Sequence, residues 1–595
     1  MVGWSDQLWN VGRRQADSPS SMLSTTILLL LTCTLHTTRG SQIDTSQPHT
    51  SIENADAVAH TATIHDCQVV FDPNDVRKGT SDSRIPLPVD NPTKSFWIDT
   101  PDANPLSEYG STGELTTDAD ICIIGSGITG VSAAWHLSKL LGDNSLKEYE
   151  RQRSVVILEA RRNGGHLTPI LFHGFSALQA RYNTTEALKS FALEAHTSDA
   201  IVKFIKQNGL EHEVDLVEGG HLTLLRNKIE EQAFRDDWEK VKSAGSVGPD
   251  AKVEWIDNEE LSKKYHVDPK LGYSAVHQRG HNLWPCKLVT HLFKDAQTPS
   301  PKVAVELHTK TPVTAITKIE RESSKEPRRR WNLHTPRGNI DCEYVIHATN
   351  GYASHLLPFL AGLEEEDAES IVEYGLNEKP GSVAGAQDVD LSSTESQLPR
   401  GAYGIKPTRG QVGAVRSSVN ASSLGWLTSW DGGNGGDEYW FPRYQDTEHK
   451  NPLIILGGGR YASEGRTKEV GVWDDSVLNP RVSNAIRTYL PVLFPDQFAK
   501  DGEWEMEWSG IMAFTKSGDP FVGPVQPIQT APHTQSIENP YAGQYISAGY
   551  SGHGMPRAYA CAQAVASIIA AQIQREDWTP PSWLPERYLT WATVP

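Results

Sequence analysis

Three glycines with the spacing G-x-G-x-x-G are the residues of this sequence that most directly indicate chemistry. Gly125, Gly127 and Gly130 follow the apolar residues 121–124, which predict a buried strand, and a helical pattern begins directly after them. In such a turn the first glycine permits the tight bend, the second lets a pyrophosphate approach the backbone, and the third lets helix and strand pack closely. The free N–H groups of the helix then attract the phosphate charge. The motif therefore predicts a dinucleotide site, with a chance glycine turn as the alternative.

An acidic residue at the end of the next predicted strand completes the pattern. Residues 155–158 read V-V-I-L, and Glu159 follows them, 34 positions after Gly125. A carboxylate at this place accepts hydrogen bonds from the hydroxyls of an adenosine ribose. The usual separation is about 20 positions, and we interpret the polar residues 142–153 as an insertion that accounts for the difference.

The length, composition and charge of the chain indicate a folded protein of several domains that does not bind nucleic acid. The chain has 595 residues, of which 38% are hydrophobic and 22% charged, and its formal net charge is −19 at pH 7. This length is enough for about two to four folded domains. Because affinity for nucleic acid depends on Lys and Arg, the negative charge argues against a nucleic-acid partner.

Cysteine and histidine patterns indicate no metal site. The six cysteines show no C-x-x-C spacing, and the 21 histidines form no H-E-x-x-H pattern and no Cys/His cluster. Cys122 lies in the first predicted strand and Cys561 in an apolar helix, so we interpret both as inert buried thiols rather than ligands or disulfide partners. No G-x-S-x-G elbow is present, so hydrolase chemistry has no support.

The N-terminal residues carry a targeting signal in one interpretation. Residues 25–35 form an apolar run with the length of a signal-peptide core, too short to span a bilayer. We therefore predict no stable transmembrane helix, and we interpret residues 1–40 as a signal or leader segment. If residues 22–40 are a signal peptide, the protein enters the secretory pathway or leaves the cell. If they are not, or if the leader is not translated, the protein is cytoplasmic.

The order of predicted elements indicates a nucleotide-binding domain that is interrupted by a second domain. Strands for one sheet are predicted near residues 121, 155, 345 and 545, with other material between them. We therefore predict an α/β protein of two domains, a Rossmann-like domain interrupted by a substrate domain with a mixed sheet. The predicted divisions are a leader 1–40, a polar linker or loosely attached arm 41–95, nucleotide-binding segments 96–175, 284–360 and 501–575, substrate-domain segments 176–283 and 401–500, an acidic loop 361–400, and a C-terminal tail 576–595.

Five short blocks of sequence occur in an order that a known family shares. They are I-I-G-S-G-I-T-G (123–130), L-E-A-R followed by R-N-G-G-H-L (158–167), A-T-N-G-Y (348–352), W-S-G-I-M-A-F-T-K-S-G-D-P-F-V-G-P (508–524) and A-G-Y-S-G-H-G-M-P-R (548–557). Together they resemble the FAD-dependent oxidoreductases of the D-amino-acid oxidase and sarcosine oxidase family, especially a fungal-like branch. The resemblance covers roughly residues 92–575.

The resemblance implies that FAD lies extended along the sheet and assigns its contacts to particular residues. Gly125, Ser126, Gly127, Ile128, Thr129 and Gly130 would hold the pyrophosphate; Glu159, with Ala160 beside it, would hold the adenosine ribose; Asn163, Gly164, Gly165 and His166 would run beside the flavin and its ribityl chain; Val313 would contact adenine; and Gly552, His553, Gly554 and Met555 would close over the pyrimidine end. Whether the flavin is covalently attached stays open.

The resemblance also implies a reaction. A hydride from the carbon next to an amine nitrogen would pass to the flavin, the imine would hydrolyse, and dioxygen would reoxidise the flavin to give hydrogen peroxide. The expected partners are thus an amine or amino-acid substrate and dioxygen. Two alternatives stay open: a dehydrogenase that passes electrons to a quinone or a protein, and a flavoprotein without turnover that serves as an assembly or scaffold partner.

Two residues are candidates for substrate contacts, and no catalytic acid or base is assigned. Arg409 could meet an anionic group or could form a surface salt bridge, and Trp284 could form an apolar wall or belong to the core. Two departures from the family pattern bear on this. The connection between Glu159 and Asn163 lacks the usual loop of small residues, and Pro556, with Arg557 beside it, stands where sarcosine oxidases carry a lysine.

Overall fold

Two large sheets and the helices packed on them organise the chain. The computed structural model describes residues 84–142, 151–159, 166–245, 252–320, 329–362, 404–432, 438–443, 451–464, 469–526 and 539–592. The strands, in chain order, are β1 Asp118–Ile124, β2 Arg153–Leu158, β3 His166–Leu167, β4 His221–Leu225, β5 Glu254–Ile256, β6 Ser274–Gln278, β7 His281–Asn282, β8 Val303–His308, β9 Ala315–Lys318, β10 Trp331–Thr335, β11 Gly338–His347, β12 Lys406–Arg416, β13 Ser429–Asp431, β14 Tyr439–Pro442, β15 Leu453–Gly457, β16 Trp504–Phe514, β17 Phe521–Pro524 and β18 Gln544–Ala548.

Helices pack on both sheets. The α-helices are α1 Phe96–Asp99, α2 Ile128–Gly142, α3 Phe175–Arg181, α4 Thr184–Gln207, α5 Lys228–Ser243, α6 Asn258–Tyr265, α7 Pro285–Ala296, α8 Ala353–Leu356, α9 Ala421–Leu424, α10 Pro480–Leu493 and α11 Gly554–Gln574. Short 3₁₀ turns lie at Pro269–Leu271, Asn350–Tyr352, Pro358–Ala361, Arg460–Ala462 and Glu586–Tyr588. Within the described residues, no helix is both long and apolar enough to cross a bilayer.

The first sheet has a parallel centre. Its order is β17-β18-β11-β1-β2-β8, with β10 and β9 attached beside β11. β1 is buried over six of its seven residues, as expected for a strand covered on both faces. Ile121 and Ile123 pack with α2, α7 and α11 on one face, whereas Cys122 and Ile124 pack with β10 and β11 on the other. The four strands predicted near 121, 155, 345 and 545 are neighbours here, which confirms the predicted fold class.

The second sheet is mixed and runs in the order β16-β12-β15-β14-β13-β4-β6-β5. Its core contains Trp430 stacked on Trp440 at 5.5 Å between ring centroids, with Phe494 against both rings. β16 pairs along β12, so a strand that begins after the predicted boundary at residue 501 belongs to this sheet. The division into domains otherwise stays a prediction. A short ribbon of β3 and β7 places His166 opposite Asn282.

Both ends of the described chain are attached to the sheets. The described part of the predicted arm, residues 84–95, is attached by backbone hydrogen bonds such as Thr93 N–H to Asp475 O at 2.8 Å. In the predicted C-terminal tail, Tyr588 and Leu589 are buried in the core of the first sheet. The described residues 84–95 are therefore not loosely attached, whereas residues 41–83 of the predicted linker or arm lie outside the described residues. The polar composition of residues 41–95 concealed the few residues that make the contacts.

The interpretation of Cys122 as a free thiol is also wrong. Cys122 in β1 and Cys342 in β11 form a disulfide, with their Cα atoms 6.0 Å apart. Parallel pairing of β1 and β11 brings the two residues together although 220 positions separate them in the sequence. Cys561 is a buried free thiol, as predicted.

We expect Cys342→Ala to lower the free energy of unfolding by about 2–4 kcal/mol, because the disulfide restricts the unfolded chain. The measurement is urea unfolding of the oxidised proteins. Cys561→Ala is the matched control, since it removes a buried sulfur of the same size that has no covalent partner. Equal losses in the two variants would show that the bond itself adds nothing.

Candidate active site

A cavity lies where the carboxyl ends of β1, β2 and β11 face the second sheet. Its lining includes the turn before α2, the first residues of α11, and parts of β12, β14 and β16. Most of the residues predicted to bind a cofactor line it: Gly125, Ser126, Gly127, Ile128, Thr129, Glu159, His166, Val313, Gly552, His553, Gly554 and Met555. Ala160, Asn163, Gly164 and Gly165 lie outside the described residues, so the short connection after Glu159 is not tested.

The three glycines of the motif have three different environments. Gly125 has φ +110°, and a Cβ there would lie 2.5 Å from the carbonyl oxygen of Ala348. A Cβ on Gly130 would lie 1.8 Å from the carbonyl oxygen of Gly125, so the start of α2 packs against the turn only without a side chain. By contrast, a Cβ on Gly127 would meet nothing within 4 Å. Gly127 thus leaves open space in front of the helix N-terminus, which fits a bound pyrophosphate.

The half-buried Glu159 stands at the edge of the same cavity, directly after β2. Its backbone N–H donates to His308 O at 3.2 Å, and its carbonyl accepts from Thr311 N at 3.1 Å. These bonds fix the residue beside the β8 end of the sheet. The buried Val313 lines the cavity there too. This end of the cavity therefore combines a carboxylate with an apolar surface, the pair of features that an adenosine requires.

The first turn of α11 faces the cavity from another side. Gly552, with φ +85°, turns the chain before the helix, and His553 and Gly554 line the cavity. Unpaired N–H groups and the helix dipole make such an end favourable for negative charge. Burial lowers the pKa of His553 to about 4, and Glu194, 3.5 Å away, raises it only in part. His553 is therefore uncharged near neutral pH.

Uncharged aromatic groups form a third part of the lining. The His166 ring stacks against Tyr439 and Phe441 with centroid distances of 5.7 Å and 5.6 Å, and its Nε2 lies 2.9 Å from Thr168 Oγ1. Burial holds the pKa of His166 well below its ordinary value and raises the pKa of Tyr439 to about 12. His166 and Tyr439 line the cavity and can exchange hydrogen bonds with a bound molecule without bringing charge to it.

Comparison with known families identifies the class of protein. A model of the family described as "DAO: FAD dependent oxidoreductase" matches residues 120–372 and 384–568, which is more than half of the chain. The chain belongs to this family. It is thus an oxidoreductase with FAD as cofactor, and the open space at Gly127 and the helix ends of α2 and α11 fit such a group.

Individual relatives of this DAO-family protein are distant. Gamma-glutamylputrescine oxidoreductase of Escherichia coli (strain K12) is 24% identical over 262 residues, which is 42% of this chain and 53% of that protein. The match thus spans about half the length of this curated relative. Glycine oxidase from Geobacillus kaustophilus has a TM-score of 0.51 at 17% identity, covering 80% of this chain and 99% of the other. L-proline dehydrogenase from P. horikoshii has a TM-score of 0.50 at 19% identity, covering 80% of this chain and 98% of the other. The two structures show the same fold.

The two residues predicted to contact substrate do not line the cavity of this oxidoreductase. Arg409 Nε donates to Glu469 Oε2 at 2.6 Å. Arg409 therefore forms a salt bridge, which is the alternative that the sequence left open. Trp284 is buried, donates from Nε1 to Trp97 O at 2.8 Å, and stacks on Phe96; the core alternative describes it. Both interpretations as substrate contacts are therefore corrected, because long-range pairing turns each side chain towards another partner.

Other residues of the DAO-family cavity were missed by sequence reasoning. Val412, Trp508, Ile511 and Met512 form an apolar wall on the second sheet. Arg460 is the cation of the wall: it is buried, and its guanidinium carbon lies 5.1 Å from the centroid of the Phe514 ring. The sequence signal that could have found Arg460 is the run G-G-G-R at residues 457–460, which follows the apolar residues 453–456 directly.

The position that carries a lysine in sarcosine oxidases supplies no cation here. Pro556 lines the cavity. Arg557 is buried and donates from Nε to Glu194 Oε1 at 2.8 Å and from a terminal nitrogen to Gly518 O at 3.1 Å. The charge of Arg557 is therefore paired with Glu194 between α4 and α11 and does not serve the cavity.

Proposed function

We propose that this protein oxidises the C–N bond of an amine or amino acid with FAD and transfers the electrons to dioxygen, forming hydrogen peroxide. The observation that carries the proposal is one cavity that joins the dinucleotide cradle at Gly127 to a wall of apolar and neutral hydrogen-bonding groups beside the cation Arg460. The names of the relatives support it, since gamma-glutamylputrescine, glycine and L-proline all contain an amine nitrogen next to a C–H bond.

Each part of the cavity has a task in this reaction. When bound, FAD supplies the acceptor for a hydride from the carbon next to nitrogen. The turn Gly125–Gly130 and α2 would hold its pyrophosphate, Glu159 its ribose, and Val313 its adenine. The first turn of α11 would stabilise negative charge at the pyrimidine end of the flavin.

The substrate side of the cavity favours an uncharged amine. His553 and His166 are neutral near neutral pH, and Tyr439 keeps its proton. The wall of Trp508 and Met512 is apolar, which makes a charged ammonium group costly to bury against it. A substrate amine that arrives without its extra proton needs no strong protein base, and the neutral side chains then orient it by hydrogen bonds.

The test is peroxide formation by purified FAD-loaded protein in air with a panel of primary amines, N-methylated amines and amino acids. We expect at least one class to give peroxide in equal amount to the oxygen consumed, and to bleach the flavin absorbance without air. Protein stripped of FAD controls for background peroxide. Bleaching without peroxide would favour a dehydrogenase that uses a quinone or protein acceptor. A flavin that no compound bleaches would favour the scaffold alternative.

We propose further that the protein matures in the secretory pathway. The buried disulfide between Cys122 and Cys342 supports this, because such bonds form and persist in oxidising compartments. The leader predicted at residues 1–40 lies outside the described residues. Processing of the expressed chain can be tested by N-terminal sequencing of the mature protein.

A further inference from the structure

An extended segment that precedes the first helix forms one wall of the cavity. Residues 85–93 read I-P-L-P-V-D-N-P-T, and we call them the strap. Leu87, Pro88, Val89 and Pro92 line the cavity. Asp90 and Asn91 are exposed and do not line it. The strap therefore has an apolar side towards the cavity and a polar side towards solvent.

The two ends of the strap are attached to opposite parts of the site. At one end the carbonyl oxygen of Ile85 lies 2.9 Å from His355 Nδ1, and the next residue, Leu356, packs with Leu158 and Val313 beside the predicted adenosine end.

At the other end, Thr93 is bound to the wall of the second sheet. Its N–H donates to Asp475 O at 2.8 Å, and its Oγ1 accepts from Ser509 N at 2.9 Å. Ser509 belongs to β16, which lies in the second sheet. The strap thus crosses the cavity from the first sheet to the second.

The composition of the strap suits a fixed cover. Pro86, Pro88 and Pro92 restrict the backbone and remove three N–H donors. The segment needs no internal hydrogen bonds in an extended conformation, and a proline-rich chain loses less entropy when it is held in place. Two anchors are then sufficient to hold the apolar side chains over a bound molecule.

We propose that the strap covers bound FAD and limits the rate at which the cofactor leaves the protein. The proposal rests on FAD as the cofactor of this family and on the extended site from Glu159 to His553. A molecule that lies along this site contacts the apolar side of the strap, which separates it from solvent on that side. Loss of the apolar side of the strap should therefore raise the dissociation rate.

The test compares FAD release from full-length holoprotein variants. We expect Leu87→Ser and Val89→Ser to raise the release rate by about tenfold each, since affinity changes appear mostly in dissociation. Asp90→Ser is the matched control on the solvent side of the strap and should release FAD at the rate of the unchanged protein. The measurement is the rise of flavin fluorescence after dilution, with thermal unfolding of each apoprotein as the check on folding.

An anchor variant and a cleavage assay keep the proposal testable if the apolar variants fold poorly. Thr93→Val removes the hydroxyl that accepts the hydrogen bond of Ser509 N–H, and it should also raise the rate of FAD release.

Trypsin should cut after the exposed Lys94, directly behind the strap, about tenfold more slowly when FAD is bound. Release and cleavage that do not change with these variants or with FAD would overturn the proposal. Protein that never binds FAD would instead overturn the cofactor assignment, and the strap proposal with it.

Discussion

Gly127→Ala should fold like the unchanged protein and yet bind FAD about a hundredfold more weakly, a loss of about 3 kcal/mol. The reason is the environment of this residue. A methyl group on Gly127 meets no protein atom within 4 Å, so we expect the structure and stability of the apoprotein to stay the same. The same methyl group occupies the space in which the pyrophosphate would approach the backbone. The measurements are FAD titration by calorimetry or flavin fluorescence, and urea unfolding of the apoprotein.

Gly130→Ala is the matched comparison in the same turn. Its methyl group would lie 1.8 Å from the carbonyl oxygen of Gly125, and backbone must move to admit it. We expect the free energy of unfolding to fall by about 1–3 kcal/mol. If Gly127→Ala binds FAD as tightly as the unchanged protein, the phosphate groups do not lie at this turn.

The elements that sequence alone could predict are those specified by local patterns. The strands predicted at residues 121–124 and 155–158 lie within β1 and β2, and the helical pattern predicted after the glycine motif is α2. A helix or strand repeats its apolar residues within a few positions, so a short window contains the signal. The motif Gly125–Gly130 is local for the same reason. Its three glycines could be interpreted one by one.

The errors concern residues whose partners are far away in the sequence. Cys122 finds Cys342 only after β1 and β11 have paired. Arg409 lies in β12, and the next two residues, Gly410 and Gln411, line the cavity. The side chain of Arg409 itself binds Glu469. Which arginine reaches a cavity is decided by the face of the sheet and by the residue opposite. No single window of sequence contains that information.

The strap shows a further limit of composition-based reasoning. Residues 41–95 as a whole are polar and lack periodicity, which predicts a linker. The apolar residues Leu87 and Val89 are too few to change that average, although both line the cavity. A segment that crosses a ligand site needs only a few such contacts and two anchors, so its function leaves little trace in its mean composition.

Glu194→Gln should be the most destabilising polar substitution proposed here, with a loss of about 3–5 kcal/mol in the free energy of unfolding. Glu194 in α4 and Arg557 in α11 are both buried, and Arg557 Nε donates to Glu194 Oε1 at 2.8 Å. Ile170 N–H donates to the other carboxylate oxygen at 2.8 Å. Removal of the negative charge leaves a buried guanidinium whose charge the carbonyl of Gly518 cannot balance. Chemical unfolding at neutral pH measures the loss.

Two comparisons separate the buried pair from a general effect of charge. Glu464→Gln breaks an exposed pair with Arg481, whose side chains are 77% and 62% exposed, and should cost less than about 1 kcal/mol. Replacing both members of the buried pair, Glu194→Leu with Arg557→Leu, should recover part of the loss, because no unpaired charge then stays buried. If the double variant is no more stable than Glu194→Gln, the packing of α4 on α11 matters more than the charge pair.

The pH dependence of stability gives an independent test of the same pair. Burial by itself raises the pKa of Glu194, but Arg557 and His553 outweigh it and lower the pKa from 4.5 to about 2. Because the folded-state pKa lies below the unfolded one, the stabilisation is complete above about pH 4.5 and is lost as the pH falls towards about 2. The advantage of the unchanged protein over Glu194→Gln should therefore shrink across this interval. An advantage that stays constant on acidification would mean that folding does not lower the pKa of Glu194, and the ion pair would then not be what stabilises the contact of α4 with α11.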